Sequence, residues 1–197
     1  MFLNVAKTTL TSRYLTYEQR PIWLSLICHQ ELQKMISINS NKDCCGCTAC
    51  VQACPKQCIK LIEDAEGFPY PSIDRESCVQ CGKCDNDCPM LHPNKPQVPL
   101  VTYAVTNPDE YVRSQSSSGG IFSILAEYVI RQGGVVFGAA FNENWEVVHS
   151  CTESIEGLEK FRGSKYVQSR IGDSFSDAER FLKEERMVLF SGTPCQI

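Results

Sequence analysis

The sequence has no long apolar run, no excess of basic charge and only 3 histidines among its 197 residues. A membrane-spanning helix needs about 20 consecutive apolar residues, so no membrane span is expected. A net charge of −4 leaves no basic footprint for nucleic acid. Neither the dinucleotide pattern G-x-G-x-x-G nor a P-loop occurs. Residues 1–34 lack the charged start and small-residue cleavage site of a signal peptide, so a secreted disulfide framework is not expected. His29, His92 and His149 have no convergent partner along the chain and are assigned no role.

Cysteine, by contrast, abounds, with 13 in the chain. Two runs share the form C-x2-C-x2-C-x3-C-P: Cys44, Cys47, Cys50, Cys54, Pro55 and Cys78, Cys81, Cys84, Cys88, Pro89. Three thiolates spaced this closely can converge on corners of one iron–sulfur cube, and the proline then turns the chain away. In two-cluster ferredoxins the fourth cysteine of each run reaches the other cluster. Cys44, Cys47, Cys50 and Cys88 are therefore read as ligands of one 4Fe–4S cluster. Cys78, Cys81, Cys84 and Cys54 are read as ligands of the second. Zinc sites use C-x2-C pairs across a longer insert, a poorer match to triplets followed by C-P. Cys28, Cys45, Cys58, Cys151 and Cys195 fall outside the spacing; Cys45 and Cys58 read as small buried residues by default, and Cys195 as a buried structural cysteine with a ligand as the alternative. Thiolate clusters need reduced cysteines, which points to the cytoplasm.

The expected fold class is α+β: a two-cluster ferredoxin-like domain, then an incomplete α/β domain of flavin-binding type. Residues 1–35 read as a disordered extension or a mis-assigned start, with Met35 as the alternative initiator. Residues 36–92 form the cluster domain, with strands expected at Ile36–Ile38, Ile59–Ile62 and Phe68–Ile73. Three prolines mark 93–100 as a stiff linker. From 101 to 197 the pattern gives a strand at Val101–Val105 and a helix at Ile121–Arg131 closed by Gly133-Gly134. Ile121, Ile124, Leu125, Tyr128 and Val129 are its expected buried face. A hairpin follows over Val135–Phe141 and Trp145–Cys151, then a short helix at Ser154–Phe161, a helix at Asp173–Arg186 and a strand at Met187–Phe190. A strand and Gly-Thr-Pro-Cys turn should lead into a helix, so the chain reads as a fragment.

Three polar motifs lie beyond the clusters. Ser116-Ser117-Ser118-Gly119-Gly120 opens a helix, where N–H groups and hydroxyls suit a phosphate; a plain capped loop is the alternative. Arg162-Gly163-Ser164-Lys165 offers two cations beside a flexible glycine, and either an anion clamp or a solvated loop fits. Ser191-Gly192-Thr193-Pro194-Cys195 sits at a strand end, where open α/β sheets carry ligands.

Taken with the two cysteine runs, these motifs and the segment Phe161–Gln168 resemble the family of coenzyme F-420 hydrogenase/dehydrogenase beta subunits over residues 36–197. The resemblance implies an iron–sulfur flavoprotein whose FAD passes electrons between the clusters and a hydride carrier, the deazaflavin coenzyme F-420. It implies that Ser116, Ser117, Ser118, Gly119, Gly120, Arg162, Gly163, Ser164, Lys165, Gly192 and Thr193 line the flavin site. A redox partner protein or subunit would take or supply electrons singly. Catalytic residues stay unassigned. The alternative is a two-cluster electron carrier without its own catalysis, or an accessory in polysaccharide biosynthesis.

Overall fold

Ile36 and Ile38 do not form the expected strand. In the computed structural model, which describes residues 2–6, 35–38, 40–94 and 98–197, they run irregularly beside the cysteine loops. The Ile36 N–H points to the Cys84 sulfur at 3.4 Å rather than to a neighbouring strand. Ile36 packs in an apolar cluster with Cys50, Cys58, Ile59, Cys84 and Cys88.

The cluster unit repeats one short device. Each cysteine run ends in a brief helix, α1 (Ala49–Ala53) and α2 (Lys83–Asn86). Between the runs, β2 (Ile59–Glu63) and β3 (Pro69–Ile73) pair antiparallel. The turn between them is closed by the Asp64 carboxylate, which accepts the Glu66 and Phe68 N–H groups at 2.9 and 3.0 Å. Prolines are tolerated in β3 because it is an edge strand of a two-stranded sheet.

The second unit is built on a four-stranded sheet of order β1–β6–β4–β5. Here β1 is Phe2–Ala6, β4 is Val135–Phe141, β5 is Val147–Thr152 and β6 is Val188–Gly192. β4 pairs with β5 as the expected hairpin and with β6 in parallel, while β1 runs antiparallel to β6. A strand thus lies within the stretch 1–35 that the sequence marks as an extension. Residues 1 and 7–34, and with them most of that expectation, lie outside the described residues.

β4 is sandwiched, which explains its unbroken apolar run. Val136 and Ala140 face α4 (Ile121–Arg131), with Ala126, Val129, Leu158, Phe161 and Leu189. Val135 and Phe137 face α5 (Ser174–Lys183), with Ala178, Phe181 and Val188. Burying each such large side chain contributes roughly 1.5–3 kcal/mol before entropy is counted. At Gly138 an added Cβ would lie 3.0 Å from the Phe161 ring, so the aromatic ring sits directly on the strand.

The helix α4 has the bounds the pattern predicts, but its expected face is buried only in part, at Val129 and beside Leu125. Ser123, Ala126 and Val129 are 1%, 0% and 1% exposed, whereas Ile124 and Tyr128 are 40% and 55% exposed. Small residues let the helix axis approach the sheet closely, and this outweighs the larger stripe. Gly133, in the left-handed region at φ 75°, ends the helix. Val101–Val105 is not a strand: it is irregular, and Tyr103 is 76% exposed. The short helix expected from Ser154 is a 3-10 helix over Glu156–Phe161. A further helix, α3 (Glu110–Ser114), is capped by the Asp109 side chain.

Candidate functional site

The two cysteine loops follow one backbone scheme. In the first, Gly46 and Thr48 flank Cys47 with φ 64° and 65°; in the second, Gln80 and Gly82 flank Cys81 with φ 54° and 74°. Left-handed residues on either side of the middle cysteine curl the loop and turn N–H groups inward. Gly46 N–H lies 3.5 Å from Cys44 Sγ, and Gln80 N–H lies 3.4 Å from Cys78 Sγ. Such N–H to sulfur contacts stabilise thiolates and tune a cluster's potential.

These loops bound two cavities. One is lined by Cys44, Cys47, Cys50 and Cys88 with Cys45 beside them, walled by Ile36, Ile38 and Leu61. The other is lined by Cys54, Cys78, Cys81 and Cys84 with Cys58 beside them, walled by Ile59 and Ile73. The fold therefore brings the fourth cysteine of each run to the first three of the other. Among the described residues, no three His, Cys, Asp or Glu side chains close on a single-ion position.

The donor chemistry fits a cluster. Burial, with Cys47 and then Cys44 nearby, pushes the Cys50 thiol up to about 12. A thiolate there needs a bound cation to hold it deprotonated. Thr48, which lines the first cavity, has a buried Oγ1 without a hydrogen-bond partner among the protein atoms. A β-branched residue in the left-handed region is strained. Its unpaired hydroxyl suits a sulfur acceptor. The corresponding position in the second loop is Gly82.

The units meet through few polar contacts. Gln168 Nε2 donates to the Cys45 carbonyl at 2.9 Å, Arg170 pairs with Glu63 at 2.8 Å, and Ser176 N–H donates to Gln52 Oε1 at 3.0 Å. Beside them opens a cleft of about 530 Å³, lined by Cys44, Cys45, Phe68, Tyr70, Lys165, Tyr166, Gln168, Thr193 and Cys195. That volume lies within the roughly 300–1,000 Å³ of small-molecule sites. A larger groove of about 800 Å³ borders Gln52, Lys83, Phe175 and Ile197. The smaller cleft is the better candidate, because it joins two of the polar motifs to Cys44 of the first cysteine run.

The motif residues divide. Lys165 and Thr193 reach the cleft. Ser116–Gly120, Arg162, Gly163, Ser164 and Gly192 do not line it. Lys165 Nζ donates to the Lys160 and Arg162 carbonyls at 3.0 and 2.9 Å, and burial lowers its pKa. An ammonium has three N–H donors, so one is left. Arg162 donates Nε–H to Ser123 Oγ at 3.4 Å and lies 3.9 Å from Glu159. The serine loop is tied back: Ser116 Oγ donates to Val112 O at 2.7 Å, and Asn107 Nδ2 donates to Gly120 O at 3.1 Å.

Sequence reasoning missed His149. It is 7% exposed and stacks on Phe190 with ring centres 5.1 Å apart. Its Nε2–H donates to the Ser191 carbonyl at 2.9 Å, and its Nδ1 accepts from Ser169 Oγ at 2.6 Å. Gln196 Nε2 donates to Ser169 Oγ at 3.2 Å, while Gln196 Oε1 accepts from Thr193 N–H at 3.0 Å. This buried chain fixes the Thr193–Gln196 turn at the edge of the cleft. Its partners are 20, 42 and 27 residues apart in sequence, so no local pattern signals it.

Residues 43–91 match a family model described as a 4Fe-4S dicluster domain. The chain is also 24% identical over 172 residues to one subunit of the F(420)H(2) dehydrogenase of Methanosarcina mazei, an alignment covering 83% of this chain and 49% of that protein. The chain is thus similar to a subunit of an F(420)H(2) dehydrogenase and carries a match to a 4Fe-4S dicluster domain. Both findings agree on iron–sulfur electron transfer as its coarse chemistry, with the clusters in the region the cysteine runs mark. It spans about half the length of that relative, which is by name a dehydrogenase subunit. No helix among the described residues is long and apolar enough to cross a membrane.

Proposed function

We propose that this chain is the iron–sulfur part of a flavin-dependent oxidoreductase that exchanges electrons with a deazaflavin of the coenzyme F-420 type. The carrying observation is the cleft between the units. It sets Lys165 and Thr193 on one wall and Cys44, a ligand of the first cluster, on the other. A flavin bound there would convert a hydride pair into single electrons. Phe68, Tyr70 and Tyr166 offer aromatic faces to a planar ring. The remaining Lys165 donor suits a phosphate or an electron-rich ring edge. Because the cleft adjoins the Cys44–Gly46 loop, the first cluster is the near one. The second, whose Cys81 is solvent-exposed, faces outward toward a redox partner protein.

The dehydrogenase relative supports this reading, and reduced thiols suit the cytoplasm. The test is anaerobic mixing with reduced coenzyme F-420. Bleaching of cluster absorbance in flavin-loaded protein, and its absence after flavin removal, is the expected result. A flavin-loaded protein that does not bleach contradicts the proposal. One observation favours a second reading, an electron carrier without its own catalysis: Arg162 and Lys165 already serve internal bonds. An iron-replete, flavin-free protein would be its signature.

A further inference from the structure

One peptide group serves both units at once. The Cys45–Gly46 peptide points its N–H at Cys44 Sγ, 3.5 Å away. Its carbonyl accepts Gln168 Nε2–H at 2.9 Å. A continuous chain of hydrogen bonds therefore runs from a carboxamide of the α/β unit, through one peptide, to a sulfur of the first cysteine run. Bonds in such a chain polarise one another, so a donor on the carbonyl makes the N–H at the far end a stronger donor.

The Gln168 side chain springs from fixed backbone. Ser169 Oγ donates to His149 Nδ1 at 2.6 Å, and Arg170 N–H donates to the Val147 carbonyl at 2.9 Å. On the other side, Gly46 leaves room for the approach. An added Cβ there would lie 3.4 Å from the Pro69 carbonyl oxygen and 3.9 Å from Gln168 Nε2. The second loop has the same N–H to sulfur contact, from Gln80 to Cys78 at 3.4 Å. The carbonyl of that peptide belongs to Val79, which is 56% exposed, and no donor among the described residues reaches it. The two loops thus share a backbone scheme and differ in this support.

We propose that Gln168 is a positioning residue for the first cluster, holding up its potential through the shared Cys45–Gly46 peptide. The proposal rests on Cys44 being a ligand of that cluster and not on the flavin. A stronger N–H donor to the sulfur stabilises the reduced, more negative cluster and so raises its potential. The unit that carries the cleft thereby sets how firmly the nearer cluster holds its electron.

Redox titration followed by electron paramagnetic resonance, on anaerobically purified protein with iron and sulfide counted, tests this. Cys47→Ala removes the first cluster and so assigns its wave. Gln168→Leu is expected to lower the potential of the first cluster only, shifting the electron share between the two clusters by about threefold, the scale of one modest hydrogen bond. Gln168→Glu keeps the shape but turns only acceptors toward the Cys45 carbonyl, so it should lower that potential at least as far. Both variants should keep about eight irons and eight sulfides. A first-cluster wave that stays in place in both variants overturns the proposal. Two waves that move together also overturn it, since they would mark a general loosening between the units. Iron lost from both variants would make Gln168 a mere prop of the loop and equally overturn it. A wild type with about four irons would instead sink the two-cluster assignment, and this proposal with it.

Discussion

Lowering the pH below neutrality is expected to destabilise the α/β unit through His149. Burial holds its pKa below the ordinary histidine value, partly offset by its hydrogen bond to the Ser191 carbonyl. In the unfolded chain the ring titrates near ~6.5. Above that pH both states are neutral and the histidine adds no pH dependence. Below it the unfolded chain takes up a proton that the native ring resists, so stability falls as pH falls. The slope reaches at most about 1.4 kcal/mol per pH unit and flattens once the native ring protonates too. His149→Phe keeps the stack on Phe190 but removes both hydrogen bonds, to Ser169 and to Ser191. Each buried group left unpaired costs about 1–3 kcal/mol, so the variant should lose about 2–6 kcal/mol at pH 7.5. Against a total of about 5–15 kcal/mol this is large. Urea unfolding followed by far-UV circular dichroism, under anaerobic conditions at pH 7.5 and 5.5, measures both effects. The gap between wild type and variant should narrow at the lower pH. Parallel pH slopes for the two proteins, or a variant as stable as wild type at pH 7.5, would refute the reasoning.

Three further outcomes follow from named contacts. Cys88→Ala should expose Cys44, Cys47 and Cys50 to alkylation while Cys78, Cys81 and Cys84 stay protected. Labelling of the second set instead would show that each run binds its own cluster. Lys165→Ala should weaken flavin retention roughly tenfold or more, the scale of one charge-assisted hydrogen bond, with cluster absorbance intact; unchanged flavin content would defeat the assignment. Gly134→Ala should destabilise the protein by about 1–3 kcal/mol in a melting experiment, since its Cβ would lie 2.5 Å from the Met187 carbonyl oxygen and 2.6 Å from Val129.

What the sequence disclosed depended on the range of each interaction. α4 was legible because glycines bracket it locally, and β4 and β5 because an asparagine-rich turn joins adjacent runs. Asn142 Oδ1 does accept two N–H groups in that turn, each at 2.9 Å. Val101–Val105 has strand composition, yet a strand also needs a paired neighbour, which composition does not supply. The buried face of α4 was only partly anticipated, because hydrophobic size was weighed and close approach was not. In the site, the spacing of Cys44, Cys47 and Cys50 names a cluster, and the placement of Cys88 beside them was legible only because a second run of the same spacing follows. His149 looked ordinary because its partners are brought together only by packing. The motif around Arg162 left an anion clamp and a solvated loop open; its charged groups hold the local backbone and Ser123 of α4, and Lys165 keeps one N–H donor.

The most direct test of the account is a single count on anaerobically purified protein: iron, sulfide and flavin in one sample. Two clusters wired to a flavin in the cleft predict about eight irons, eight sulfides and one flavin per chain. Full iron and sulfide with no flavin, even after incubation with excess FAD, would contradict the central claim and leave a plain electron carrier.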